Sequence, residues 1–137
     1  MRYTKRSWSA IGGQTMKKKQ PETELQIDFA TWLDSIGVLY TASCSGMRTH
    51  PVIGAKMKRM GSKKGFPDIQ IFHPNRRYHG LLIELKSEKG SPSPEQIEWR
   101  DCLNYKMYCA VVMPGGLDYK HGLEWLKKTV NDYLGIK

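Results

Sequence analysis

Residues 65–69 read GFPDI and residues 82–86 read LIELK, and these two stretches decide how the rest of the chain is interpreted. In an extended strand successive side chains point to opposite faces, so Glu84 and Lys86 would share one face. A carboxylate and an ammonium within an apolar run would be buried, which is unfavourable unless the charges have partners. The pattern therefore predicts a functional site on this strand.

A second carboxylate stands at the start of the preceding apolar run. Asp68 precedes the apolar residues of 69–72, and the segment 75–80 is rich in turn residues. A hairpin joining 68–72 to 81–86 would bring Asp68 and Glu84 to adjoining strand positions. Two carboxylates suit a hard divalent cation such as Mg²⁺. The sequence thus predicts a metal site here, with a lysine near the attacked phosphate or water.

These residues resemble the motif of the PD-(D/E)XK nucleases, which is matched by Pro67-Asp68 and then Glu84-Leu85-Lys86. The wider pattern is similar to the virus-type replication-repair nuclease (VRR-NUC) domain over about residues 21 to 113. The positions that carry this wider resemblance are Gly65, Phe66, Ile69, Ile83, Gly90, Ser93, Glu95, Gln96, Trp99 and Leu103.

The resemblance implies a restriction-endonuclease-like α/β sandwich, with a mixed central β-sheet flanked by helices. It implies an endonuclease that uses Mg²⁺ or Mn²⁺ to hydrolyse phosphodiester bonds in DNA. Asp68, Glu84 and the Leu85 carbonyl would hold the metal, and Glu22 would complete the shell through water. Lys86 would orient the nucleophile or stabilise the transition state.

Standalone members of the family resemble Holliday-junction resolvases that act as dimers. The resemblance therefore implies a branched DNA substrate, a homodimer and a role in DNA repair. One alternative is a flap or nonspecific nuclease with the same catalytic residues. The other is a noncatalytic DNA-binding protein, in which Asp68, Glu84 and Lys86 form a buried ion pair that sets strand register.

A helix is predicted from Pro21 to Ile36, with proline at its first position and acids in its first turn. Its inward stripe is defined by Leu25, Phe29, Trp32, Leu33 and Ile36, and Gly37 ends it. At about 100° per residue, Glu22 falls on this stripe and Glu24 falls off it. Glu22 is therefore the predicted site residue, with Glu24 as its substitute in another helix register. In the family, this helix carries a glutamate and a glutamine in the relation of Glu22 to Gln26.

The formal charge of the chain is +9, which favours a polyanionic partner. Residues 1–20 form a predicted flexible basic arm, either docked on DNA or solvated, and residues 21–137 form the nuclease domain. Residues 43–65 form a long connection without an acid, interpreted as gripping phosphates rather than as a merely solvated loop. The predicted DNA-binding residues are Lys17, Lys18, Lys19, Arg48, Lys56, Lys58, Arg59, Lys63 and Lys64.

A further helix is predicted to start at Ser93, whose side chain would form a capping box with Gln96. Gln96 also shares a face with Trp99 and Leu103, and the family resemblance places it at the active site. We interpret the helix cap and the active site as competing roles for Gln96, because one side chain can serve only one of them at a time. A strand over 108–113 and a helix over 118–134 complete the predicted order.

The chain has no apolar run approaching about 18 residues, which argues against a membrane protein. No apolar segment follows the basic N-terminal residues, so a secretory signal is not indicated. The three cysteines include no C-x-x-C pair, and neither a disulfide framework nor a zinc site is expected. These features predict a cytoplasmic protein that acts on nucleic acid.

Overall fold

The structure is a computed structural model, and it describes residues 21–43 and 50–136. The predicted arm at 1–20, with Lys17, Lys18 and Lys19, lies outside the described residues, as does Arg48. The helices are α1 (Pro21–Ile36), α2 (Pro51–Arg59), α3 (Pro94–Tyr105) and α4 (Tyr119–Leu134). The strands are β1 (Tyr40–Ala42), β2 (Ile69–Ile71), β3 (Leu81–Glu84) and β4 (Cys109–Val112).

The four strands form one mixed sheet in the order β1-β2-β3-β4. β2 pairs antiparallel with both β1 and β3, whereas β3 pairs parallel with β4. The parallel pair needs a crossover, and α3 provides it. The predicted α/β class with a mixed central sheet flanked by helices is confirmed.

The main core lies between one face of the sheet and the helices α1 and α4. Its fully buried members include Phe29 and Leu33 from α1, Ile83 from β3, and Leu126 and Val130 from α4. The prediction that Ile36 faces this core is wrong, since its side chain is 37% exposed. Ile36 is the last helical residue, and Gly37 (φ 74°) then turns the chain into the loop before β1.

The opposite face of the sheet is associated with α3. Gln96 of α3 bonds the side chains of Glu84 and Lys86, which alternate with the core residues of the same strand. Farther along α3, Asn104 exchanges hydrogen bonds with the backbone N–H and C=O of Ala110 in β4. The helix is thus fixed to the sheet by polar contacts near both ends.

The long connection between β1 and β2 contains a full nine-residue helix. This helix, α2, begins at Pro51, where the His50 side chain accepts a hydrogen bond from the N–H of Val52. None of its residues is buried. No helix within the described ranges is long and apolar enough to cross a membrane.

The middle and the end of the apolar stripe of α1 provide a matched stability test. Leu33→Ala removes a side chain with no exposed surface and should lower the free energy of unfolding by about 2–5 kcal/mol. Ile36→Ala, at the exposed helix end, should cost less than about 1 kcal/mol. Urea denaturation followed by circular dichroism measures both, and equal losses would contradict the packing described for α1.

Candidate active site

Asp68 and Glu84 meet at the end of the antiparallel pair β2–β3. Ile69 lies opposite Ile83, so one further step of the same register places Asp68 opposite Glu84. Their side chains lie on the sheet face opposite the main core, because faces alternate along a strand. Glu84 and Lys86 are buried, with 5% and 8% of their surfaces exposed. The structure therefore brings together the three charged residues of the motif.

Pro67 modifies the hydrogen bonding of the strand end beside this pair. The register places Pro67 opposite Leu85, whose N–H donates instead to Oδ2 of Asp68 at 2.8 Å. In an antiparallel ladder a residue that points its N–H at the partner strand also points its C=O there. Proline has no N–H to donate to that carbonyl. The Leu85 carbonyl would thus point towards the neighbouring segment that carries Asp68, and no backbone N–H lies opposite to bond it.

Gln96 joins the start of α3 to the charged cluster. Its Oε1 accepts hydrogen bonds from Lys86 Nζ at 2.6 Å and from the backbone N–H of Ser93 at 2.9 Å. Its Nε2 donates to Oε1 of Glu84. The expectation that Gln96 serves either the helix cap or the site is wrong, because an amide has a donor and an acceptor with two lone pairs. One side chain does both.

The loop that leads to Asp68 is held against α3. The indole N–H of Trp99 donates to the Lys64 carbonyl at 3.1 Å, and the rings of Phe66 and Trp99 meet edge to face at 4.9 Å. Gly65, with φ 86°, lies so close to α3 that a Cβ there would be 2.8 Å from backbone and side-chain atoms of Glu95. The helix that positions Lys86 thus also positions the segment preceding Asp68.

The electrostatics of the site are dominated by burial of like charges. Burial raises the pKa of Glu84 to about 8, with the negative charge of Asp68 contributing in the same direction. Burial also raises the pKa of Asp68. The hydrogen bond from the Leu85 N–H lowers that pKa, whereas the negative charge of Glu22 raises it. Lys86, whose ammonium lies 3.5 Å from Glu84, lowers the pKa of both carboxyl groups but does not outweigh burial.

Glu22 lies in the first turn of α1, beside this cluster. It lines a cleft of about 120 Å³ together with Leu25 and Lys86, and the far wall comes from the residues before α4. Its charge acts on Asp68, as described above. Glu24 is half-buried but is not among the residues that line the cleft. Of the two acids that sequence left open, Glu22 is the one placed at the charged cluster.

The donor atoms present fit a hard divalent cation. Oε2 of Glu84 is buried and receives no hydrogen bond from any residue the structure describes. Together with Asp68 and the Leu85 carbonyl it supplies oxygen donors only. Across residues 21–43 and 50–136 no group of three or more His, Cys, Asp or Glu side chains is arranged as a metal site. Such a set of oxygen donors suits a hard divalent cation that keeps several of its waters.

The remaining predicted basic residues that the structure describes lie on the surface. The basic residues of α2 and of the loop after it are exposed, and these are Lys56, Lys58, Arg59, Lys63 and Lys64. His73, His79 and His121 are exposed as well. The structure thus separates a buried charged cluster from a basic surface on the connection between β1 and β2.

The comparisons with known proteins agree with this geometry. The family model described as the VRR-NUC domain matches residues 22–115, which is more than half of the chain. The chain belongs to the VRR-NUC family. It is a nuclease domain of the PD-(D/E)XK type, for which DNA is the substrate, and enzymes of this type generally use divalent metal ions.

Two solved structures have the same fold as this VRR-NUC domain. One, titled "VRR_NUC domain protein", has a TM-score of 0.63 at 28% identity, with 84% of this chain and 92% of that chain covered. The second, titled "VRR_NUC domain", has a TM-score of 0.54 at 16% identity and covers 84% of this chain and 99% of that chain. No curated protein matched the sequence.

Sequence reasoning did not identify the support that Pro67, Phe66 and Trp99 give to the VRR-NUC site. A signal for the aromatic contact was present, because Trp99 follows Gln96 by three residues and therefore lies on the same helix face. The partner of that face could not be read from spacing. It is the loop over 64–66, which is distant in sequence.

The raised pKa of Glu84 predicts that the metal-free domain loses stability as pH rises. In the folded state Glu84 keeps its proton up to about pH 8, whereas in the unfolded chain, with an ordinary pKa of 4.5, it loses the proton at lower pH. The contribution of Glu84 to the free energy of unfolding is therefore greatest below about pH 4.5 and declines as the pH rises to about 8. Even one pKa unit corresponds to about 1.4 kcal/mol. Thermal melts in EDTA from pH 5 to 8.5 should show this decline.

Glu84→Gln should flatten that pH profile, because a neutral amide has no proton to lose. Glu124→Gln removes the same charge from the exposed surface of α4 and should retain the wild-type decline. A profile for Glu84→Gln that fell as steeply as that of the wild type would show that the buried carboxyl is not its source.

Proposed function

We propose that this VRR-NUC domain is a Mg²⁺- or Mn²⁺-dependent DNA endonuclease that acts on branched DNA such as four-way junctions. The observation that carries the proposal is the cluster of the buried Glu84 and Lys86 with the half-buried Asp68, in which Gln96 bonds Glu84 and Lys86. Taking these charged groups wholly or partly out of water is costly for the fold. A cation-dependent reaction at the cluster accounts for that cost.

Asp68, Glu84 and the Leu85 carbonyl would hold the cation, and Glu22 would complete its shell. When bound, a divalent cation lowers the pKa of water and neutralises charge on the phosphate. The carboxylates would fix the position of the cation and, through it, the position of the phosphate. The sheet around them excludes bulk water. Burial also strengthens each electrostatic contact, because the surrounding dielectric is low.

Lys86 would act on the reacting atoms directly. Lys86 donates one ammonium proton to Gln96 and a second, at 3.5 Å, to Glu84, so the third N–H donor can point towards the cleft. An ammonium held in this way can orient the nucleophile or donate to the phosphoryl oxygens as their charge grows. The hydrolysis requires no covalent intermediate with the chain.

DNA binding is assigned to the basic residues that lie apart from the cluster. Those on α2 and the following loop are exposed and available to phosphates, and the proposal extends to Lys17, Lys18, Lys19 and Arg48 outside the described residues. Contacts to phosphates provide affinity and orientation without sequence preference. Such binding suits an enzyme that selects DNA by its shape.

The choice of branched DNA, the homodimer and the role in DNA repair rest on the family resemblance. A flap or nonspecific nuclease would use the same catalytic residues. A panel of substrates tests the choice: four-way junctions, flaps, linear duplex and single strands, each with Mg²⁺, Mn²⁺ or EDTA. Cleavage should depend on the metal and be fastest on the junction, while analytical ultracentrifugation reports the dimer.

Lys86→Ala is the control for that panel and should lower cleavage by at least about 100-fold while retaining most DNA affinity. Fastest cleavage of flaps, or equal cleavage of all substrates, would favour the alternative nucleases. Tight DNA binding without metal-dependent cleavage would favour the noncatalytic alternative.

The two acids of the first turn of α1 provide a second test of the site. Glu22→Gln should lower metal-dependent turnover about 10- to 100-fold, as expected for a residue that completes a metal shell. Glu24→Gln changes the same charge on the same turn and should leave turnover within about twofold. Single-turnover rates at saturating protein measure both variants, and a larger loss at Glu24 would reverse the assignment.

A further inference from the structure

A second cavity, of about 310 Å³, opens beside the loop that leads to Asp68. Its wall combines Met57 of α2, the aromatic rings of Phe66 and Trp99, and the polar residues Ser43 and Lys63. A closed cavity of about 150 Å³ is already large enough for benzene, so this one has room for a flat bicyclic ring. Its apolar wall is unlike the charged cluster and needs a different occupant.

The wall of the cavity is bonded to the strand end that carries Asp68. The hydroxyl of Ser43 donates to the Pro67 carbonyl at 2.7 Å, and its backbone N–H donates to the Asp68 carbonyl at 2.8 Å. Phe66 precedes Asp68 by two residues, a chain length of at most about 7 Å. A nucleotide with its phosphate at the carboxylates therefore has its own or a neighbouring base within reach of the cavity.

Two further observations specify the occupant as part of a nucleic acid. The lining includes Lys63 and no acid, and the next residue, Lys64, has a side chain that is 80% exposed. The helix face that carries Trp99 also carries Gln96, which bonds the catalytic cluster. An apolar, aromatic cavity with a basic rim, next to a phosphate-cleaving site, matches a base attached to a phosphate backbone.

We propose that this cavity binds one unpaired base of the DNA substrate next to the cleaved phosphodiester. The inference rests on the proposed nuclease function and deepens it. Stacking of a base on an aromatic side chain contributes roughly 5- to 150-fold to affinity. Extruding a base from an intact duplex costs a comparable factor, which is smallest where the base is already unpaired. The cavity therefore favours branch points over continuous duplex.

The first arm of the test changes only the DNA. A branched substrate carries an abasic analogue at each position within three nucleotides of the branch point, and wild-type protein is titrated against each in EDTA. Loss of the base at one position should weaken binding at least about fivefold, with little effect at the other positions. Equal affinity for the whole abasic series would overturn the proposal.

The second arm combines that substrate with a matched pair of variants on and next to α2. Met57 lines the cavity, whereas Met60 is 77% exposed and is not among its lining residues. Met57→Ala should weaken binding of the intact substrate and have less effect on the sensitive abasic substrate, so that the two losses are not additive. Met60→Ala should leave both affinities within about twofold. Additive losses for Met57, or equal effects of the two variants, would overturn the cavity as the base site.

Binding in EDTA separates this inference from the proposed function. If the wild type failed to cleave any DNA with Mg²⁺ or Mn²⁺, the nuclease proposal would fail, yet the titrations would still report whether a base enters the cavity. Conversely, normal cleavage together with a flat abasic series would retain the nuclease and remove the base site. Because the abasic series uses the unaltered protein, it is independent of the folding of either variant.

Discussion

Repulsion between the Asp68 and Glu84 carboxylates is the constraint on which the site depends. Opposite positions on paired strands hold two like charges together, and burial raises the pKa of both. The surrounding structure offsets this cost in part: the Leu85 N–H bonds Asp68, and Gln96 and Lys86 lie at Glu84. What remains uncompensated is the buried Oε2 of Glu84. A divalent cation at these oxygens would favour the ionised form of both carboxyl groups.

Holding the charges together requires elements that are distant in sequence. The β2–β3 pair sets the register, α3 supplies Gln96, and α1 supplies Glu22 at the edge of the cleft. The loop before Asp68 is fixed by its contacts with Trp99. Each element on its own is short or exposed, so the site is a product of the assembled domain rather than of one motif.

The sequence predicted the order of the elements and the residues of the charged cluster because these depend on local patterns. Alternation indicates which strand side chains share a face, and helix periodicity distinguishes Glu22 from Glu24. Helix α2 was harder to predict than α3, although neither buries a residue, because α3 begins with a serine capping box and α2 begins at His50, which is not one of the usual N-cap residues. Ile36 fits the periodic pattern of α1, but the prediction that it faces the core was wrong. It is the last residue of the helix, where the apolar spacing continues in the sequence although the surface against which α1 packs has ended.

Other features were beyond sequence reasoning because they arise from register. Whether Pro67 would face Leu85 depends on a pairing that the alternating pattern permits but does not specify. The two uses of Gln96 were foreseen separately, and only the approach of α3 to the sheet makes them compatible. Long-range contacts of this kind also created the aromatic cavity, whose walls come from three separate segments.

The shared amide of Gln96 has a consequence for how this domain can change. The Oε1 atom of Gln96 accepts both a hydrogen bond that caps the start of α3 and the hydrogen bond that holds Lys86. Ser93, which lies outside the charged cluster, is coupled to it through that atom. A substitution that shifts the start of α3 would therefore also shift the ammonium of Lys86, so the helix cap and the position of Lys86 cannot vary independently.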